Sequence, residues 1–338
     1  METPNYRQHR YRSSFFFPIA LITVGIVWLM INNGIIPIEN TYRLIPLWPL
    51  VLVIAGVGLI LRRIWWPLNG LLWAATAVGV VAVMLNPPAF LPKSNLSAQL
   101  KHETISEPVG SAKSATTQLD LSVYSSQISA LPASSTDLIS ADVNHIGTIN
   151  FVTTGTDQKT VQLGEDFSTG FMRFDWLMTG QVDPWKIGLT PNIPLRLKIN
   201  SGTGASALDL TGLKLESLTI DGGTGSSRIT LPQSSSRFPF KFDIGTGSVS
   251  ITVPDDTAFD LNVDGGTGSL IIFLPEGAGV QVDVRSGGIG SLNLPGFNKV
   301  RGGESRDKEG VWENDAYASA DYPINIILDI GTGSVNIR

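Results

Sequence analysis

The run Asp-Gly-Gly-Thr-Gly-Ser at 221–226 returns, almost unchanged, at 243–248, 264–269 and 329–334. Marking each copy by the second glycine of its Gly-x-Gly gives Gly204, Gly225, Gly247, Gly268, Gly290 and Gly333. The steps are 21, 22, 21, 22 and 43 residues. A unit of this size cannot bury an apolar face alone. Copies at a fixed period must stack and share one core, which predicts a β-solenoid or a similar array. The step of 43 is two periods, so a copy is missing or overwritten where residues 296–322 intervene.

Each unit reads strand, corner, strand. Apolar side chains fall on every second residue before the corner, as in Phe240, Phe242 and Ile244, and again after it, as in Val249, Ile251 and Val253. Period two with Ser, Thr, Asn and Asp between means one buried and one wet face. Several second strands stop at a proline: Pro232, Pro254, Pro275 and Pro295. Proline has no N–H to give a ladder. The corner glycines are Gly202, Gly204, Gly223, Gly225, Gly245, Gly247, Gly266, Gly268, Gly288, Gly290, Gly331 and Gly333. A sharp turn in every rung predicts positive φ at these positions, which glycine alone adopts freely. A phosphate-cradling loop would need a helix after the turn and a Gly-Lys-Ser/Thr. Here a strand follows each time. Residues 117–200 read as earlier, eroded rungs, with "LDLSVYSSQISALP" (119–132) carrying Tyr and Ser in place of the glycines.

Two residues before each Gly-x-Gly stands Asn200, Asp221, Asp243, Asp264, Ser286 or Asp329. Stacking would set these in one file. Short polar side chains that cap their own turn explain the pattern. A calcium ladder through Asp221, Asp243, Asp264 and Asp329 is the alternative. Trp176 and Trp185 lie in the aromatic stretch 171–189. They form either a recognition patch or the cover that a solenoid edge requires. Three scattered histidines and no Gly-x-Ser-x-Gly leave no catalytic constellation, so no enzyme activity and no cofactor is expected.

The chain has no cysteine, which excludes disulfides and thiolate metal sites. Charge divides it. Residues 1–100 carry seven basic and two acidic side chains, +5; residues 101–338 carry seventeen and twenty-seven, −10. The acidic part is a poor partner for nucleic acid. Uncharged apolar stretches at about 15–36, 44–61 and 68–85 predict three membrane spans. No small-x-small cleavage site follows the first, so retained helices are expected rather than a signal peptide. Arg7, Arg10 and Arg12 before the first span, and Arg62 and Arg63 after the second, place the 1–14 tail in the cytoplasm. The acidic part, from a linker at 86–116 into an all-β domain at 117–338, then lies outside.

"FFFPIALITVGIVWLMINNGIIP" (15–37) followed by "LWPLVLVIAGVGLILRR" (47–63) resembles the LiaI/LiaF-like transmembrane region of bacterial proteins. Residues 183–232, "DPWKIGLTPNIPLRLKINSGTGASALDLTGLKLESLTIDGGTGSSRITLP", resemble the toastrack, or adhesin-like, domain often joined to it. The resemblance implies a bacterial cell-envelope protein with a β-solenoid. It implies a regulatory role in envelope-stress signalling, in contact with membrane lipid and a histidine kinase. A structural or adhesive protein that binds a surface or associates with itself is the other class that fits.

Overall fold

The computed structural model describes residues 16–36, 40, 44, 47–64, 66–88, 100–121, 124–145, 147–166, 183–288, 290–303, 308–329 and 331–338. The chain divides into two compact units, Met1–Ala98 and Gln99–Arg338.

The first unit holds helices α1 (Phe16–Asn32), α2 (Trp48–Ile64) and α3 (Trp66–Leu85). Helix α3 packs against both others. Gly58 permits the close approach of α2: a Cβ there would stand 3.2 Å from Asn69 Oδ1 and 3.3 Å from Trp73 Nε1 of α3. Only one helix among the described residues is long and apolar enough to cross a membrane, over Pro67–Leu85 with mean hydropathy 2.0. The apolar parts of the other two, Pro18–Asn32 and Pro49–Leu61, fall short of the about 20 residues that a span needs. Three complete spans are therefore not carried by helix length. The first helix stops at Asn32, because a turn with Gly34 at φ 71° follows.

The second unit is two sheets face to face, parallel through the middle of the stack and antiparallel toward its ends. Sheet I joins β1 (Lys101–Pro108), β3 (Ser126–Ala130), β4 (Asp137–His145), β7 (Trp185–Leu189), β9 (Ser206–Asp209), β11 (Thr224–Thr230), β13 (Thr246–Thr252), β15 (Ser269–Phe273), β17 (Ser291–Asn293) and β21 (Ser334–Ile337). Sheet II joins β2 (Ser114–Asp120), β5 (Thr148–Thr154), β6 (Gln158–Asp166), β8 (Pro194–Asn200), β10 (Lys214–Asp221), β12 (Phe238–Asp243), β14 (Phe259–Asp264), β16 (Val280–Ser286), β18 (Phe297–Arg301), β19 (Gly310–Asn314) and β20 (Ile324–Asp329). Strand β1 and the first three residues of β2 fall within the stretch read as a linker, 86–116. That stretch lacks an apolar period because β1 is an edge strand with one buried side chain, Ile105.

Alternation fixes the core. In β12 and β14 every second residue is buried: Phe238, Phe240 and Phe242 in one, Phe259, Leu261 and Val263 in the next. Phe238 stacks on Phe259 at 6.0 Å between ring centroids. Each such side chain removed from water is worth about 1.5–3 kcal/mol, and the row runs unbroken through both sheets.

The stacking order is not the chain order. Along sheet II the strands run β18-β19-β16-β20-β14-β12-β10-β8-β2-β6-β5. The rung β20–β21 is thus inserted between β14–β15 and β16–β17. Between β15 and β16 the chain steps over one strand position, turning at Gly277 with φ 77°. The later strands fill the gap, and Arg338 ties in by backbone hydrogen bonds to Ile272 and Leu274. The other end repeats the device: β2–β3 lies between β6–β7 and β8–β9. The eroded Tyr-Ser-Ser rung is real, with Ile128 in register with Leu208. The overwritten copy is also explained. The stretch at 296–322 contributes β18 and β19, an antiparallel pair that closes sheet II.

A corner column and an outward groove

The corner glycines form one file through the stack, but positive φ is not their reason. Of the twelve, only Gly288, at 46°, lies in the left-handed region. The others for which a Cβ contact is resolved are needed because the next rung passes too close. A Cβ on Gly225 would stand 2.3 Å from Gly204 O, on Gly247 1.8 Å from Gly225 O, and on Gly268 2.4 Å from Gly247 O. On Gly333 it would meet Gly268 O at 1.6 Å, and on Gly290 it would meet Gly333 O at 1.6 Å. The series reproduces the inserted rung. Gly204 in turn lies against Tyr124 O, 2.2 Å from its own would-be Cβ, so the eroded corner belongs to the same file. Thr224, Thr246, Thr267 and Thr332 hang between the glycines as an exposed row. Their N–H groups donate to Gly202, Gly223, Gly245 and Gly266 of the rung before.

The acidic file stands in register as expected: Asn200 opposite Asp221, then Asp243, Asp264, Asp329 and Ser286. Asp120, opposite Asn200, extends it. Sequence spacing missed Asp120 because its corner has no glycine to align on. Asp243 sits mid-file. Partial burial, and then the charges of Asp221 and Asp264, push its carboxyl above the usual range, while Lys241 pulls the other way. The file does not make a coordination shell. Among the described residues no group of three or more His, Cys, Asp or Glu is placed to hold a metal ion. Strands about 4.8 Å apart carry parallel side chains that point outward; they do not converge on one point. The calcium ladder through Asp221, Asp243, Asp264 and Asp329 thus finds no geometric support.

Trp185 is a core residue. It is fully buried, stacks on Tyr124 at 5.3 Å and 16°, and donates Nε1–H to Asn144 O at 2.8 Å. It is no recognition patch. Trp176 lies outside the described residues.

The outer side of sheet I carries a shallow groove of about 370 Å³. Ser226, Ser248 and Ser269, successive in register, line it with Arg228 and Ile271. A flat row of hydroxyls at strand spacing can exchange hydrogen bonds with an extended or repetitive ligand. Nothing in it supplies a nucleophile with a base.

No curated protein matches the chain. Two solved structures do. One is a candidate cell adhesion protein from Clostridium sporogenes ATCC 15579, 18% identical over 70% of this chain and 98% of that one, with a TM-score of 0.48. The other is a candidate adhesin, BF0245, from Bacteroides fragilis NCTC 9343, 11% identical over 70% and 97%, with a TM-score of 0.29. Residues 97–252 match the family described as the N-terminal domain of toast_rack, DUF2154, a match that opens just ahead of β1; the protein therefore carries a toast-rack domain.

Proposed function

We propose that this is a bacterial membrane protein that crosses the bilayer more than once. Its N-terminus lies in the cytoplasm, and its toast-rack domain stands outside as a regulator or sensor of LiaF type in envelope-stress signalling. The observation that carries the reading is where apolar surface is left bare. Apart from Val152, Val300 and Tyr322, every large apolar side chain exposed among the described residues falls within 21–85, Leu21, Trp28, Leu59 and Val78 among them. Water does not tolerate so large a bare patch and lipid does. The +5 and −10 division of charge supports the orientation. In this reading the domain works by binding, with membrane lipid and a histidine kinase as partners, and performs no catalysis. Protease added to intact spheroplasts should remove residues 101–338. Pull-down from gently solubilised membranes should then recover a histidine kinase. Full protection from protease contradicts the orientation, and recovery of no kinase contradicts the regulatory role.

The serine-lined groove on sheet I favours a second reading, an adhesive protein that holds a surface polymer. Retention of cells on purified envelope polymer, lost when Ser226, Ser248 and Ser269 become bulky, would support it over the first.

A further inference from the structure

We propose that β5 is a docking edge that takes one extended segment of a partner protein as an added strand. Among the described residues the stack ends in four edge strands, and three are guarded. β1 carries Lys101, His102, Glu103 and Glu107 and ends in Pro108; β18 carries Lys299 and Arg301; β17 has only three residues. Charges, proline and shortness are the usual means of stopping an edge from pairing. β5 has none of them. Its sequence Thr-Ile-Asn-Phe-Val-Thr-Thr is seven residues long, uncharged, free of Pro and Gly, and mostly β-branched or aromatic. Its inner side chains Ile149 and Phe151 pack on the core yet stay only partly buried. Thr153 Oγ1 is buried with no hydrogen-bond partner among the described residues. Val152, facing outward, is 42% exposed.

The two sheets end out of step, and this selects the occupant. β4 in sheet I ends at His145 and β5 in sheet II begins at Thr148, and the two stand as one rung. Sheet I continues one strand further, to β1, and sheet II has no described strand beyond β5. One added strand would bring the sheets level. A second copy docked β5 to β5 would have to fit two β1 strands into sheet I between its β4 strands, while sheet II offers a single strand spacing of about 4.8 Å. The occupant is therefore one extended peptide segment. It is held through its main chain and presents apolar β-branched or aromatic residues at every second position toward Ile149 and Phe151.

The test uses the full chain in mild detergent and a fluorescent peptide, Gln-Lys-Thr-Val-Gln-Leu-Gly-Glu-Asp, which copies β6, the strand that β5 already pairs with on its other side. Saturable binding is expected, weakened at least tenfold by Asn150→Asp with Val152→Glu, which add charge on the exposed side of the edge, and unchanged by Asn293→Asp on β17. Melting of the double variant should match the parent; if it falls, Val152→Glu alone carries the comparison. Absence of saturable binding, or equal binding by parent and variant, overturns the proposal. So does a dimer of the parent chain that the variant abolishes, since the occupant is then a second copy.

Discussion

The middle of the stack and its N-terminal cap solve the same problem by opposite means. Between β8 and β15 the chain repeats itself, and strength comes from identical contacts made again in each rung. At the cap formed by β1, β4, β5, β6 and β7 nothing repeats. His145 is buried, its Nδ1 3.1 Å from Gly147 O and its Nε2 3.4 Å from Glu103 Oε2. Glu165, also buried, accepts a hydrogen bond from Gly147 N–H. Lys159 joins Glu107 at 2.5 Å and Trp185 fills the interior. A repeated rung can rely on its neighbour's backbone; an end has a neighbour on one side only, so side chains that occur once must close it. Damage in the middle should therefore be steric, and damage at the cap should be loss of a particular contact.

The largest effect is expected at the cap. Trp185→Ala empties a fully buried site, removes the stack on Tyr124 and strands Asn144 O, a loss of about 3–5 kcal/mol; a denaturant titration of the full chain followed by near-UV circular dichroism reads it. Next come Gly247→Ala and Gly333→Ala. Each forces a Cβ to within 2 Å of a carbonyl oxygen in the adjacent rung, at or beyond the upper end of the about 1–3 kcal/mol that overpacking costs. The two should be alike, because the inserted rung has neighbours on both sides. Gly290→Ala should cost less, since the file ends there and its rung can shift outward. Equal loss at all three would erase the distinction between middle and end. Glu165→Ala should cost about 1–2 kcal/mol by leaving Gly147 N–H without its acceptor. Native-state hydrogen exchange should show that loss in β4 and β5 and leave β12 unchanged.

The smallest effect has a sign that pH reveals. Asp243 has a higher carboxyl pKa in the folded chain than in the unfolded one, so the folded state binds more protons between the two values. Its stability contribution falls as pH rises through that window, and the full cost stands at neutral pH. Asp243→Asn should therefore raise Tm at neutral pH, by on the order of 1 °C because the side chain is exposed and screened. The gain should vanish below the ordinary carboxylate range and shrink in high salt. A lower Tm at neutral pH would mean that the charge supports the corner.

Much of the middle was legible in the sequence because period and alternation are local. Phe240 and Phe242 announce a buried face, and Asp221, Asp243 and Asp264 fall into register from spacing alone. The reason for the glycines was not legible. Positive φ and close approach both demand the absence of a Cβ, and only the distance from Gly247 to Gly225 O separates them. The stacking order was hidden for a related reason. β14, β16 and β20 all alternate alike, so any of them could follow any other, and what decides is whether the connection from β15 can step over a strand position. Trp185 was ambiguous because an aromatic residue in an irregular stretch reads equally as surface or core. The three apolar stretches stood out by composition, whereas helix length depends on where turns such as the one at Gly34 interrupt.

Insertion of β20–β21 into the stack is the claim on which the rest depends, and the absence of native cysteine makes it directly testable. Asn262 of β14 is opposite Ile327 of β20, and Ile327 is opposite Asp283 of β16. A disulfide needs Cα atoms about 4.4–6.8 Å apart, which adjacent strands satisfy and strands two steps apart do not. In the full chain under mild oxidation, the pair Asn262→Cys with Ile327→Cys should form an intramolecular disulfide in high yield, and Asn262→Cys with Asp283→Cys should remain as free thiols. Efficient bridging of 262 to 283, with 327 left unpaired, would place β16 directly on β14 and contradict the account.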